Sequence, residues 1–298
     1  MSGNERRRLD PRKGFFKVCE RTIDRLVSRF IFPHVLGLWN PYSWLLTRQF
    51  SLAETTLTPP RWPDDISHPL RVLLLTDIHT GPFLSPRVLS EIITALMELR
   101  PDLVVITGDI VTGSARDLDD FLTVLAKLSN VLLGAWYCFG NHDYFSGHPE
   151  TISERLASAG ITTLRNQSVA LNYGNGKFIL GGIDDRILGT PDWNQLLASN
   201  GPPHLLLAHH PDFFYEAAAQ GVALVLSGHT HGGQIRLPKG PPIIRQSRFC
   251  LDEGVYAYGS CIQVISRGLG VTGLPLRIGA DPEAVLIQIH HKGKRVTS

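Results

Sequence analysis

Residues 223–234 read ALVLSGHTHGGQ. A run of Leu and Val closes on Ser227, and two histidines, His229 and His231, follow one residue apart between glycines. The apolar run has the length and composition of a buried strand. Packing gives no account of the histidines, because imidazoles in a loop do not need flanking backbone freedom. The same arrangement recurs upstream. RVLLLT (71–76) leads into Asp77-Ile78-His79, and LVVIT (103–107) leads into Gly108-Asp109. VLLGAWYC (131–138) leads through Phe139 into Gly140-Asn141-His142-Asp143, and HLLLA (204–208) into His209-His210-Pro211-Asp212. Helical stretches alternate with several of these runs. One opens at Ser85-Pro86, a cap followed by a first-turn proline, and reaches Leu99; others cover 117–129, 150–159, 191–198 and 212–219. Further strands are expected at 161–171, 178–182, 261–266 and 284–290. The alternation predicts a layered α/β domain with its ligands at the C-terminal ends of the strands.

Each polar cluster has its own chemistry. In Asp77-Ile78-His79, a carboxylate and an imidazole two residues apart on an extended segment point the same way and can share a metal ion. The glycine of Gly108-Asp109 lets the chain turn sharply and leaves the carboxylate at the strand end. In Gly140-Asn141-His142-Asp143 an amide oxygen can ligate, a histidine can act as general acid, and the aspartate can orient it. Of His209 and His210 one is a ligand candidate and the other structural. A mixed nitrogen and oxygen set at the strand ends of one domain suits two divalent transition ions better than calcium or magnesium. Such a pair makes water nucleophilic near neutral pH and neutralises an oxyanion substrate, which points to metal-assisted hydrolysis of a phosphate ester.

Composition fits a folded body. Of 298 residues, 43% are hydrophobic and 19% charged, which excludes a disordered chain and allows a substantial core. The net charge of +2 gives no general case for nucleic acid as a partner. That charge is unevenly placed: residues 1–30 hold nine Lys/Arg against four Asp/Glu, and the remainder is net negative. Cys19, Cys138, Cys250 and Cys261 lack any CxxC spacing, so they read as buried hydrophobes in a reducing compartment. With no signal-peptide pattern, the body is expected to be cytoplasmic.

The start of the chain reads differently. From Phe15 to Ile31 the apolar residues fall on one helical face, beside a basic stripe of Lys17, Arg21, Arg25 and Arg29. Phe30 to Thr47 has no formal charge, is broken by Pro33 and Pro41, and carries Trp39, Tyr42 and Trp44. This pattern suits lying on an anionic membrane better than crossing it. The expected organisation is an N-terminal amphipathic arm over 1–57, a Pro-rich linker over 58–70 and a catalytic domain over 71–298. Arg236, Lys239, Arg245 and Arg248 make the loop after GHTHGG basic, as suits a doubly charged phosphoryl group. Arg236, Arg245 and Arg267 are substrate candidates, with Asp184-Asp185 ranked behind them.

The sequence resembles the calcineurin-like metallophosphoesterases. Their five blocks, D-x-H, G-D, G-N-H-[DE], H and G-H-x-H, stand here in order as TDIHTG, GDIVTG, GNHD, LAHHPD and GHTHGGQ, within Arg71–Ile289. The resemblance implies a four-layer α/β/β/α sandwich of two mixed sheets. It implies two divalent ions (Mn, Fe or Zn), one held by Asp77, His79 and His231 and the other by Asn141, His209 and His229, with Asp109 bridging. His142 would protonate the leaving group, with Asp143 as its partner. The chain is similar to the bacterial branch that carries GHTHGGQ and a stretch like SRGLG…LPLRIGADPEAVLIQI (Ser266–Ile289). Some members of that branch act on phospholipids or on UDP-2,3-diacylglucosamine of lipid A biosynthesis, and many have a full membrane span where this chain has a broken one. A peripheral enzyme on the inner face of the plasma membrane, cleaving a lipid-linked phosphodiester or pyrophosphate, is the expectation. A soluble phosphomonoesterase or nucleotidase, or a silent scaffold of the same fold, are the alternatives.

Overall fold

A computed structural model of the chain describes residues 41–237 and 240–291, so the expected helix at 15–31 lies outside the described residues. In chain order the elements are α1 (Pro41–Gln49), β1 (Ser51–Leu57), β2 (Leu70–Leu75), α2 (Pro86–Met97), β3 (Leu103–Thr107), α3 (Leu122–Leu125), β4 (Ala135–Cys138), α4 (Asn141–Phe145) and α5 (Pro149–Ser158). They continue as β5 (Ile161–Thr163), β6 (Gln167–Tyr173), β7 (Gly176–Gly182), α6 (Trp193–Leu197), β8 (Leu205–Leu207), α7 (Phe214–Ala219), β9 (Leu224–Ser227), β10 (Gly254–Tyr258), β11 (Cys261–Ile265) and β12 (Glu283–Ile289). The strands form two six-stranded sheets, ordered β1-β12-β2-β3-β4-β5 and β10-β11-β9-β8-β7-β6. Both are mixed. β2 to β5 run parallel with β12 antiparallel to β2, and β7, β8, β9 and β11 run parallel with antiparallel edges β6 and β10.

Strand alternation separates the cores. Val104 and Ile106 of β3 point to a cluster shared with α1, α2 and α5, while Leu103 and Val105 point to the other sheet. On the facing sheet Leu205 and Leu207 meet them, whereas Leu206 turns outward to Phe213, Phe214 and Ala217. The result is helices, sheet, sheet, helices: the expected four layers. Strands buried on both faces read as continuous apolar runs, which is why RVLLLT and LVVIT lack polar alternation. Truncating Leu205 to Ala in the inter-sheet core would cost about 2–5 kcal/mol.

Several boundaries differ from expectation. The arm was expected to reach residue 57, yet α1 and β1 belong to the body. Tyr42 and Leu46 are fully buried in the outer core, and β1 pairs in parallel with β12 from Ser51↔Glu283 to Leu57↔Ile289. Tyr42, expected as an interfacial anchor, instead donates its hydroxyl to the Leu269 carbonyl. The segment 58–70 is a crossover rather than an inter-domain linker, since Trp62 packs on Phe178 with centroids 5.3 Å apart and Ile66 is buried. The 161–171 run divides at Asn166, in the left-handed region at φ 52°, so that β5 and β6 enter different sheets. β1 and β10 escape sequence reading because both are edge strands whose residues are mostly exposed or half-buried, Glu54 and Tyr256 among them. Among the described residues no helix is long and apolar enough to cross a membrane.

Candidate metal centre

The five polar clusters sit just past the C-terminal ends of β2, β3, β4, β8 and β9, and backbone hydrogen bonds extend the sheets into these loops. Asp77 N–H donates to Gly108 O at 3.1 Å, His79 N–H to Asp109 O at 3.1 Å, and Gly228 N–H to His209 O at 3.0 Å. The close approach of the two sheets requires glycine at 228, where a Cβ would collide with the Thr76 hydroxyl and the Asp77 carboxylate. Asp77, His79, Asp109, His229 and His231 all adopt positive φ, between 48° and 71°. Such backbones are sparsely populated and persist where the surroundings impose them.

Two donor groups result. Asp77, His79 and His231 form one, and Asp109, His209 and His229 the other; the ligating atoms of each group lie within 4.8 Å of one another, and all six residues are buried. In the first group His231 Nε2 lies 3.4 Å from Asp77 Oδ1 and 3.2 Å from His79 Nε2. In the second His209 Nε2 lies 3.2 Å from Asp109 Oδ2 and from His229 Nδ1. Asp109 Oδ2 also lies 3.8 Å from His79 Nε2, so this one carboxylate stands between the groups.

The donors fit divalent ions. His209 Nδ1–H donates to Thr107 O at 2.7 Å, which turns Nε2 toward a carboxylate and a second imidazole. A divalent ion there would take the place of the Nε2 proton. Buried Asn141 Oδ1 accepts no hydrogen bond, consistent with the seventh ligand proposed from the motif. His210 is placed elsewhere: its Nδ1 accepts from Asp212 N–H at 3.2 Å, and its ring lies against His229 with centroids 4.3 Å apart.

The charges follow the geometry of the metal-free chain. Burial pushes His79, His229 and His231 well below the ordinary imidazole value, so they are neutral and able to ligate. Burial acts the same way on His209, but Asp109 overcomes it and carries the ring up to about 10. Burial would raise Asp109, yet His209 and then His142 hold its carboxyl well below the ordinary range. Asp77 is pushed up to about 6, by burial first and with Asp109 adding to it.

His142 and Asp143 occupy the first turn of α4. His142 Nδ1 lies 2.9 Å from Thr112 O; a carbonyl only accepts, so this nitrogen carries the proton. The His142 ring stands edge-on to His79 with centroids 4.8 Å apart. Sequence reading paired Asp143 with that ring. The structure turns the Asp143 carboxylate onto backbone instead, where it accepts from Gly140 N–H at 2.8 Å, Asp109 N–H at 2.9 Å and Ile110 N–H at 2.9 Å. It thereby ties the GDIVTG loop to the GNHD loop.

The three arginine candidates each face an acid. Arg236 pairs with Glu253, Arg245 Nη2 lies 3.6 Å from Asp252 Oδ2, and Arg267 Nη2 lies 2.6 Å from Glu283 Oε2. Asp184 accepts from Arg165 Nε at 3.1 Å and from the Tyr144 hydroxyl. Arg277 was not singled out from the sequence. It is buried, donates to Gly270 O at 2.6 Å and Arg267 O at 2.9 Å, and sets Nη2 3.1 Å from His231 Nδ1. Its one visible signal was a lone cation between Leu276 and Ile278.

Comparison with known proteins agrees with this geometry. Residues 70–233 match the family model described as calcineurin-like phosphoesterase. The uncharacterized metallophosphoesterase YkuE of Bacillus subtilis (strain 168) is 35% identical over 226 residues, which cover 74% of this chain and 78% of that protein. Phosphodiesterase YaeI of Escherichia coli (strain K12) is 33% identical over 231 residues, 76% of this chain and 84% of that one. A Danio rerio protein named transmembrane protein with metallophosphoesterase domain is 34% identical over 229 residues, which cover 72% of this chain and 52% of that protein. With the five motifs brought to one edge of a two-sheet sandwich and the family model spanning more than half its length, this chain belongs to the calcineurin-like phosphoesterases.

Proposed function

We propose that the chain is a di-metal phosphodiesterase that cleaves a phosphodiester or pyrophosphate bond in a lipid-linked substrate at an anionic membrane surface. The observation that carries the chemistry is the shared carboxylate: Asp109 Oδ2 lies 3.2 Å from His209 Nε2 and 3.8 Å from His79 Nε2, between two separate donor groups. Asp77, His79 and His231 would hold one ion, Asn141, His209 and His229 the other, and Asp109 both. The ions supply Lewis acidity and a nucleophile at neutral pH. Manganese, iron and zinc all suit the donor set.

The protein's part is orientation and proton transfer. Thr107 O fixes the His209 tautomer so that Nε2 faces the centre. Thr112 O fixes His142 with its proton on Nδ1, which leaves Nε2 as the nitrogen that exchanges a proton with the leaving-group oxygen. Asp143 holds the two loops that carry Asp109 and His142 in register. The basic first thirty residues and the phosphodiesterase relative support a diester at a membrane, on the cytoplasmic side. A lipid such as UDP-2,3-diacylglucosamine or a glycerophospholipid fits that description. The burial of Tyr42 favours a second reading, in which the start of the chain packs on the body and the substrate is soluble.

The test is metal content by elemental analysis, together with hydrolysis of an aryl diester, an aryl monoester, a glycerophospholipid and a nucleotide-diphospho-acylated sugar. Two ions per chain with preference for the lipid substrates is the expected result. Preference for the aryl monoester would replace it with the soluble reading, and a metal-free, inactive protein would overturn both.

A further inference from the structure

Two loops leave the metal centre together. One follows His231 and carries exposed Leu237, Ile243 and Ile244, the last two 61% and 71% exposed. The other follows Gly270 and carries exposed Leu274, Leu276 and Ile278. Backbone bonds join them: Arg236 N–H donates to Ile278 O at 2.9 Å and Ile278 N–H to Gln234 O at 2.9 Å. The Gln234 side chain staples them further, its Nε2 donating to Thr272 O at 2.9 Å and its Oε1 accepting from Thr272 N–H at 3.0 Å. Six exposed large apolar side chains thus lie on two loops that the backbone ties into one ridge. Single exposed leucines need no explanation; six large apolar residues on two bonded loops beside a metal centre do.

Charge and connectivity point to the same occupant. The stretch 234–253 holds Arg236, Lys239, Arg245 and Arg248 against Asp252 and Glu253; Arg236 and Arg245 face those acids, and Arg248, 3.7 Å from Asp212, keeps 61% of its side chain exposed. The forty residues that precede the described structure lead into Pro41, and Tyr42 next to it is bonded to Leu269, in the same connection that carries the second loop. The segment with nine basic residues in its first thirty therefore joins the body close to the ridge. Apolar tips flanked by arginines suit an interface where side chains enter the acyl region and cations meet anionic headgroups.

We propose that the paired loops, residues 234–237 and 240–249 with 272–278, are the face by which this protein seats on an anionic phospholipid bilayer, so that the metal centre opens toward the headgroup layer. This rests on the membrane part of the proposed function and not on its chemistry. The test uses the full chain, co-sedimented with phosphatidylcholine vesicles that contain or lack phosphatidylglycerol. Ile243→Asp with Ile244→Asp should lower binding to the anionic vesicles by about tenfold or more. Leu132→Asp, at a site 74% exposed on another part of the surface, should bind as the parent does. Melting temperature and bound metal show that each variant is folded. Unchanged binding of the double variant overturns the proposal, as does a parent chain that ignores vesicles. So does a double variant that dissociates a dimer while still binding lipid, which would make the ridge a self-association surface. Turnover of a soluble aryl diester by the parent chain separates this failure from failure of the catalytic reading.

Discussion

From the first sheet come Asp77, His79, Asp109 and Asn141; from the second come only imidazoles, His209, His229 and His231. Both carboxylates of the candidate donor set lie on one side of the molecule, and three of its four imidazoles lie on the other. Yet neither donor group is complete within a sheet. Asp77 and His79 need His231 from the loop after β9, and His209 and His229 need Asp109 from the loop after β3. Metal binding and sheet packing therefore report on each other, and the inequality between the sheets can be tested from either side.

The largest effect should come from the charged side. Asp109→Ala removes the carboxylate common to both groups, so both ions should be lost and diester turnover should fall to the metal-free level, as elemental analysis and a turnover assay would show. Full turnover in that variant would end the shared-carboxylate account. His142→Ala should leave both ions in place while lowering kcat roughly 10²–10⁴-fold, because it removes a proton donor and no ligand. Loss of metal in that variant would instead assign His142 to ligation.

The sheet-bridging role gives a smaller, thermal readout. Stripping the ions should lower the melting temperature by about 10 °C, the shift expected for ~4 kcal/mol of ligand linkage in a chain of this size. An unchanged melting temperature would show that the sheets hold without them. The imidazole side gives the pH dependence. In the metal-free chain Asp109 raises His209 from 6.5 to about 10, so at pH 8 uptake of metal must displace a proton. Metal affinity should then rise about tenfold per pH unit toward 10. Because this folded-state pKa is raised, the stability it gives the metal-free chain is present below 6.5 and lost as pH climbs through 10. Proton release to an indicator dye, and melting of the stripped chain across pH, check the two halves. The smallest effect belongs to His210→Gln, which loses one local cap at a cost of about 1 kcal/mol or less and should leave metal content unchanged.

The same inequality explains what could be read in advance. The side chains that face the centre announce themselves through types and spacing that packing cannot account for, GHTHGG above all. The doubly buried strands announce themselves as unbroken runs of Leu, Ile and Val. What stayed hidden was held by backbone. The carbonyls of Thr107 and Thr112 set two histidine tautomers, and any residue supplies a carbonyl. Asp143 was expected beside the His142 ring because the two are adjacent, but an aspartate in the first turn of a helix has backbone N–H groups closer at hand. β1 was assigned to the arm because an edge strand is buried on few of its residues and Glu54 blurs its pattern. Arg277 lay in view, and nothing in its neighbourhood of chain indicated that it reaches back to His231.

The left-handed backbone at Asp77, His79, Asp109, His229 and His231 bears on how such a centre can change over generations. Asp, Asn and His are the non-glycine residues that visit this conformation most readily. A substitution at these positions is thus screened twice, first for a backbone it can adopt and only then for a donor atom. Glutamate, though it has the charge of aspartate, meets the first screen before its extra methylene matters, and a β-branched side chain fails there. The set of residues open to drift is narrower than coordination chemistry would allow.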